Sequence, residues 1–241
     1  EMSSDAEMIM ALRNKTSTDF ANANVPPGMR YVLNYISITN ACNFRCTVCG
    51  ARAKKQPEEA VYLSVDEVCR RAEEVRRQGG RLLHLFGGEP TIHPDILQIV
   101  ENISRMGFSV GLVTNGYLLG TNDRLAAELK KRGLSRICLQ FDSLNPATLE
   151  LLGRNYLKEK ENAIRNALSA GLSIGLNCTV TKHNLEEVGD LLVHGLSLGV
   201  NVKNMTFASA APVGRYGLSP QDSVDREQII SRLLKVGERY G

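Results

Sequence analysis

The chain has 241 residues, 43% hydrophobic and 23% charged, with a net charge of +3 from 29 Lys and Arg against 26 Asp and Glu. That composition is ordinary for a globular fold and excludes a disordered or fibrous chain, and so small a charge excess gives no ground for binding nucleic acid or a membrane surface. No apolar run approaches the roughly 20 residues that cross a bilayer, and residues 1–14 lack the charged and then apolar regions of a signal peptide, so a cytoplasmic protein without a membrane span is expected.

In chain order, residues 1–31 fit no repeat, and Val25-Pro26-Pro27-Gly28 reads as a turn, so 1–31 is assigned to an N-terminal extension and 32–241 to a core. The start at Glu1 instead of Met reads as a trimmed or partial chain. Strand signals follow at 32–38 (VLNYISI), 82–86 (LLHLF), 108–113 (FSVGLV), 135–141 (SRICLQF), 173–180 (SIGLNCTV) and 201–207 (NVKNMTF). Helices alternate with them. One runs from the capping pattern Ser64-x-x-Glu67 to Gly79-Gly80, and one over 93–106 with Pro94 in its first turn. Others cover 122–132 up to Gly133, a short helix from Asn145-Pro146, and 157–170 up to Gly171. Asn184-x-x-Glu187 caps a helix to about 198, and Ser219-Pro220 precedes a last one to about 239. The basic runs Arg70, Arg71, Arg76, Arg77 and Lys130, Lys131, Arg132 read as solvated helix faces.

Six strand–helix units repeating at roughly 30 residues imply a parallel sheet with right-handed crossovers. The sheet closes either as an open doubly wound layer or as a partial barrel with fewer than eight units, and in both its ligands gather at the C-terminal strand ends.

Six cysteines occur, and three of them, Cys42, Cys46 and Cys49, lie within eight residues directly after the first strand. Such packing in a long chain reads as metal binding rather than as a disulfide framework. Cys69, Cys138 and Cys178 sit in helix or strand patterns and read as small buried hydrophobes. Three thiolates suit three irons of one iron–sulfur cubane and leave the fourth iron open for chemistry. The alternative is zinc with His84 or His93 as a further ligand, although no second Cys or His pair follows at the usual distance.

The segment Asn40-Ala-Cys42-Asn-Phe-Arg-Cys46-Thr-Val-Cys49-Gly50, with Gly87-Gly88-Glu89-Pro90 after the second strand and Thr114-Asn115-Gly116 after the third, resembles the signature of the radical S-adenosylmethionine (SAM) superfamily. The resemblance covers roughly residues 34–216 and implies a partial (βα)6 TIM-like barrel in the α/β class. It implies that Cys42, Cys46 and Cys49 hold a 4Fe-4S cluster whose open iron binds the amino and carboxylate groups of SAM. It assigns Gly87, Gly88, Glu89 and Pro90 to the SAM amino group and Asn115, Gln140, Asp142 and Asn177 to further SAM contacts. An aromatic usually precedes the third cysteine in this family, whereas Val48 stands here, so adenine is expected to pack on aliphatic groups and on the fifth and sixth strands.

The implied reaction is one-electron cleavage of SAM to methionine and a 5′-deoxyadenosyl radical, which abstracts hydrogen from a substrate. A flavodoxin- or ferredoxin-type donor is implied as partner, and a peptide, lipid or cofactor precursor as substrate. Cys46-Thr-Val-Cys49, Leu139-Gln-Phe-Asp142, Arg154-Asn-Tyr-Leu-Lys-Glu-Lys160 and Gly214-Arg215 look like the tetraether lipid synthase and pterin methyltransferase-like group. Thr179-Val-Thr-Lys-His-Asn184 and Pro212-Val-Gly-Arg215 look like the peptide- and cofactor-maturing group with a C-terminal auxiliary-cluster domain. Tyr117, Arg154, Tyr156 and Arg215 are candidates for the pocket mouth. The competing readings are a single-cluster electron-transfer module and a SAM-binding member without turnover.

Overall fold

The computed structural model describes residues 33–51, 53–54 and 60–240; the extension expected over 1–31 lies outside them. The strands are β1 (Leu33–Thr39), β2 (Val48–Cys49), β3 (Leu82–Gly87), β4 (Ser109–Thr114), β5 (Leu134–Gln140), β6 (Ser173–Val180), β7 (Val202–Ser209) and β8 (Arg215–Tyr216). Helices are α1 (Val65–Arg77), α2 (Ile96–Arg105), α3 (Tyr117–Thr121), α4 (Leu125–Lys131), α5 (Pro146–Leu151), α6 (Leu157–Ser169), α7 (Val188–Ser197) and α8 (Arg226–Tyr240).

Six strands form one parallel sheet in the order β1-β3-β4-β5-β6-β7. A doubly wound sheet reverses its strand order midway. This one never reverses, which selects the partial barrel of the two closures the sequence allows. Alternation along each strand sorts the faces. Ile38, Leu85, Leu112, Ile137, Leu139 and Leu176 pack outward against Val68, Ile99, Ile103, Ala163, Ala167 and Leu191 of the helices in a single core. The opposite face carries Tyr35, His84, Gly111 and Arg136 in one row, with Gln140, Asn177 and Thr206 in another.

The elements fall close to their expected places, with three instructive differences. The helix expected over 122–132 starts only at Leu125, as α4, because the Asn122 side chain accepts from the Arg124 N–H at 3.1 Å and turns the chain there, and the short α3 before it is unexpected. Pro94 precedes α2 rather than entering it, with His93 before it held extended at ψ 127°. Asn184 does not cap α7. Its side chain accepts from Thr181 N and donates to the carbonyls of Asp142 and Thr179, tying the end of β6 to the residues after β5. Ser64 does cap α1, while Glu67 turns to Arg70 and Arg71, so this basic run is a paired, solvated face as expected.

Two devices fix the C-terminal end of the sheet. The first is backbone contact between β1 and β3: Gly88 N donates to Thr39 O and Glu89 N to Ala41 O, both at 2.8 Å. A Cβ on Gly88 would stand 1.9 Å from Ala41 O, and one on Gly87, at φ 147°, 2.0 Å from Thr39 O. Both glycines are therefore required by the protein's own backbone, beyond the ligand approach expected of them. The second device is a buried charge group beyond β5. Asp142 and Lys160 are wholly buried and Arg154 is 3% exposed. Arg154 meets Asp142 at 2.9 Å, and Lys160 Nζ lies 3.8 Å from the same carboxylate while donating to Gln140 O at 2.6 Å.

Gly88→Ala is expected to cost more than about 2 kcal/mol of stability, since the clash is with backbone. Gly171→Ala, at φ 71° with open space around it, is expected to cost only about 1 kcal/mol; urea denaturation of both variants checks the contrast.

Burial pulls the Lys160 pKa down to about 8 against the opposing pull of Asp142. A lysine depressed in the folded state carries its penalty in full below that value and sheds it as pH rises toward the unfolded value near 10.5. Wild-type stability is thus expected to gain on that of Lys160→Met between pH 8 and 10, by at most about 3 kcal/mol at 1.4 kcal/mol per unit. A constant difference across that window, measured by urea denaturation, would contradict the assignment.

Candidate functional site

The loop carrying Cys42, Cys46 and Cys49 leaves β1 and ends in β2, and its shape is imposed from three sides. Thr47 donates its N–H to Leu152 O at 3.0 Å and its hydroxyl to Leu151 O at 2.7 Å. β2 pairs antiparallel with β8, matching Val48 to Tyr216 and Cys49 to Arg215. Arg215 also donates to Cys46 O at 2.9 Å and to Ala53 O at 3.1 Å. Phe44 stacks on Tyr156 with ring centroids 4.1 Å apart, and Tyr117 meets both rings edge-on.

All three cysteines border a cavity of about 370 Å³ at the C-terminal strand ends, within the range of small-molecule and cofactor sites. Gly87, Gly88, Glu89, Asn115 and Gln140 also reach its wall, as do Val48, Arg154 and Arg215. Pro90, Asp142, Asn177, Tyr117 and Tyr156 are not part of that wall. Pro90 is buried in the turn after β3, and Asp142 faces Arg154 and Lys160. Asn177 lies in the sheet beside Gln140 and Thr206.

Glu89 is 1% exposed and its carboxylate is fully engaged. One oxygen accepts from Thr91 N at 3.0 Å, the Thr91 hydroxyl at 2.6 Å and the Thr114 hydroxyl at 2.7 Å. The other accepts from Asn115 N at 2.7 Å. Burial pushes its pKa up, opposed by these four donors. Asn115 in turn donates to the Asn43 side chain at 2.8 Å and accepts from Tyr117 N at 2.9 Å. The ends of β3 and β4 are thereby bonded to the cysteine loop itself.

Sequence reasoning missed Asn43, Phe44, Thr91 and Thr179. Thr179 reaches the cavity wall from the strand face of Asn177, two residues on, so period-2 alternation could have found it. Thr91 stands two residues from its partner Glu89, while nothing local marks Asn43 and Phe44, which meet Asn115 and Tyr156 far along the chain. Residues 208–211, at and just past the end of β7, complete the wall with Val48, and Phe44 and Phe86 also reach it.

The donor chemistry suits a cationic group. The Cys42 thiol is pushed up to about 11, first by burial, with Glu89, Cys46 and Cys49 adding and the Phe44 N–H opposing. Thiolates crowded beside a carboxylate need a bound cation to neutralise them. Among the described residues no three His, Cys, Asp or Glu side chains converge on a single ion, whereas a cubane asks one thiolate for each of three irons. His93, considered as a zinc ligand, uses both ring nitrogens on Leu63 O and Asp95 N. His84 lies within the sheet against Tyr35. No helix among the described residues is long and apolar enough to cross a membrane.

Comparison with known proteins agrees with this geometry. Residues 36–193 match the Radical SAM superfamily. A probable GTP 3′,8-cyclase of Sulfurisphaera tokodaii is 30% identical over 203 residues, covering 83% of this chain and 62% of that protein. Its counterpart from Methanothermobacter marburgensis is 34% identical over 161 residues, 65% of this chain and 51% of that one. The chain therefore spans about three fifths or less of the curated relatives it matches. Among solved structures, SuiB of Streptococcus suis bound to S-adenosylmethionine superposes with a TM-score of 0.71 at 14% identity, over 99% of this chain and 55% of that one. HydG, a maturase of the [FeFe]-hydrogenase, does so with a TM-score of 0.65 at 19% identity, over 88% and 50%. These likenesses show a shared fold. The family match over most of the sheet, on a partial barrel with three cysteines at its C-terminal rim, establishes that the chain belongs to the radical SAM superfamily, whose members use a 4Fe-4S cluster and S-adenosylmethionine.

Proposed function

We propose that this chain is the catalytic core of an enzyme that cleaves SAM reductively and directs the resulting radical at a substrate held against the concave face of the barrel. The observation that carries the reading is the convergence of Cys42, Cys46 and Cys49 on one cavity with Gly88, Glu89 and Asn115. When bound, the cluster and SAM supply a one-electron cleavage that yields methionine and the 5′-deoxyadenosyl radical.

The chain's own residues bind and orient. Cys42, Cys46 and Cys49 hold three irons. Gly87, Gly88 and Glu89 form the rim that receives the SAM amino group, with Pro90 buried in the turn behind them and Glu89 immobilised by its four donors. Asn115 and Gln140 face SAM from the neighbouring strand ends, and Thr179 joins them from β6. Asp142, sealed against Arg154 and Lys160, acts through those partners. The Phe44–Tyr156 stack shields the loop from water. A one-electron donor of flavodoxin or ferredoxin type supplies the electron.

For the substrate we propose a purine nucleotide, with GTP the first compound to supply. Support comes from the printed names of the relatives and from the concave face, where half-buried Arg136 and Asn177 and exposed Asn204 and Thr206 suit a polar molecule better than a lipid chain.

The test is anaerobic reconstitution with iron and sulfide, then reduction with SAM. Wild type should form 5′-deoxyadenosine, and Cys46→Ala should lose both the visible cluster absorbance and cleavage, by more than the 10–100-fold that loss of an outer-shell partner costs. Zinc in anaerobically purified protein, or a reducible cluster that leaves SAM intact, would sink the enzyme reading. GTP should raise 5′-deoxyadenosine formation and donate deuterium into it from labelled positions; if only a peptide or lipid does so, the nucleotide assignment fails while SAM cleavage stands.

A further inference from the structure

The charge group beyond β5 is unbalanced in a way that points at Cys46. It contains two cations, Arg154 and Lys160, and one carboxylate, Asp142, all buried. Arg154 fans out from the carboxylate: one Nη sits 2.9 Å from Asp142 and the other donates to Val48 O at 2.8 Å, while the preceding Gly153 lies so close to the loop that a Cβ on it would stand 3.3 Å from Cys46 Cα, and Arg154 and Cys46 line one cavity. The Gln140 amide, turned to present its oxygen, accepts from the same guanidinium at 2.9 Å. Arg154 is thus held between a carboxylate and the cysteine loop, its separate N–H groups reaching both and its positive charge fixed at the loop. Lys160 stands behind it, over the Tyr156 ring at 4.8 Å.

Buried cations in excess over their carboxylate need another anion close by. Cys46, on the same cavity wall as Arg154, supplies one when its sulfur is a cluster ligand. Charge and hydrogen bonds at a ligand sulfur set the reduction potential of an iron–sulfur cluster, because the added electron spreads onto the sulfurs. A net positive charge there favours the reduced state, and the burial of Cys46 limits its screening by water.

We propose that Arg154 is a positioning residue that raises the reduction potential of the cluster through Cys46, with Asp142 fixing the guanidinium and Lys160 adding to the positive charge behind it. The inference rests on Cys46 being a cluster ligand, and it gives the strand-five segment Gln140–Asp142 an electrostatic task in addition to any contact with SAM.

The experiment is an anaerobic redox titration of the reconstituted full chain at pH 7, without SAM, followed by electron paramagnetic resonance of the reduced cluster. Arg154→Gln should make reduction at least tenfold less favourable, a midpoint about 59 mV or more further negative for one electron. Lys160→Met should move it the same way by less, and Arg154→Lys should recover most of the shift. A midpoint in Arg154→Gln equal to wild type, at equal iron content, would overturn the proposal. So would an Arg154→Lys as displaced as Arg154→Gln, which marks a structural role. Should Arg154→Gln fail to keep its cluster, Lys160→Met decides, an unshifted or more positive midpoint being the overturning result. A wild-type chain that takes up no cluster overturns the ligand reading and this proposal together. A wild-type cluster with unshifted variants overturns this proposal alone.

Discussion

The arrangement depends on one carboxylate. Glu89 is almost wholly buried at the end of β3 and accepts four hydrogen bonds, two from Thr91 and two from the Thr114–Asn115 turn at the end of β4. An ionisable group in that position is costly unless each lone pair finds a donor, so the chain around it has little freedom. The two strand ends must meet at the carboxylate, the Gly88 backbone must pass against Ala41, and Asn115 must then face Asn43 in the cysteine loop. A single buried acid thus transmits the order of the sheet to the segment that carries the three cysteines. It also accounts for the glycines beside it in terms of protein packing, with no ligand invoked.

The sheet itself was legible in the sequence because its signals are local and repeated. Short β-branched or apolar runs, glycines after the helices and a spacing suited to crossover units define six strands, and they form where those signals lie. What local signals do not carry is the closure. The strand order is a matter of which distant edges meet, and the sequence left two closures open until the pairing was seen to run without reversal. Where the reading of elements failed, a side chain found a better partner. Asn122 bonds the backbone two residues on and delays the start of α4 to Leu125. Asn184, which has the right spacing for a cap, is drawn instead to carbonyls on two other segments.

At the site the same division holds. The cysteines, Gly88, Glu89 and Asn115 stand in short motifs, and the structure brings them to one cavity. Asp142 belongs to a motif-like stretch as well, yet its carboxylate turns away toward Arg154 and Lys160, because two buried cations outcompete a solvent-facing position. Val48 shows the opposite case, where a departure from the family's usual aromatic is absorbed by aliphatic neighbours, Ala210 and Leu152, packed against it. Asn43 and Phe44, lying between cysteines, carry no signal of their own. Their roles exist only through Asn115 and Tyr156, more than seventy residues away in the chain.

The cysteine loop is therefore held on two sides by groups of different character. On the β3–β4 side the holders are neutral or anionic: amides, hydroxyls and the buried Glu89. Toward β5 they are cationic, with Arg154 bonded to Val48 O and Lys160 behind it, while Arg215 grips Cys46 O from β8. A loop between such walls experiences a potential gradient, felt most where Cys46 and Val48 are buried. That asymmetry distinguishes positions along the loop before any metal is considered: Cys42, whose pKa is pushed up by burial first and by Glu89 in addition, follows the β1 end, whereas Cys46 has its carbonyl bonded to Arg215 and Val48 its carbonyl bonded to Arg154. Equal spacing in a motif thus becomes unequal chemistry in the fold. The feature responsible is the placement of buried charges on elements that the motif does not contain.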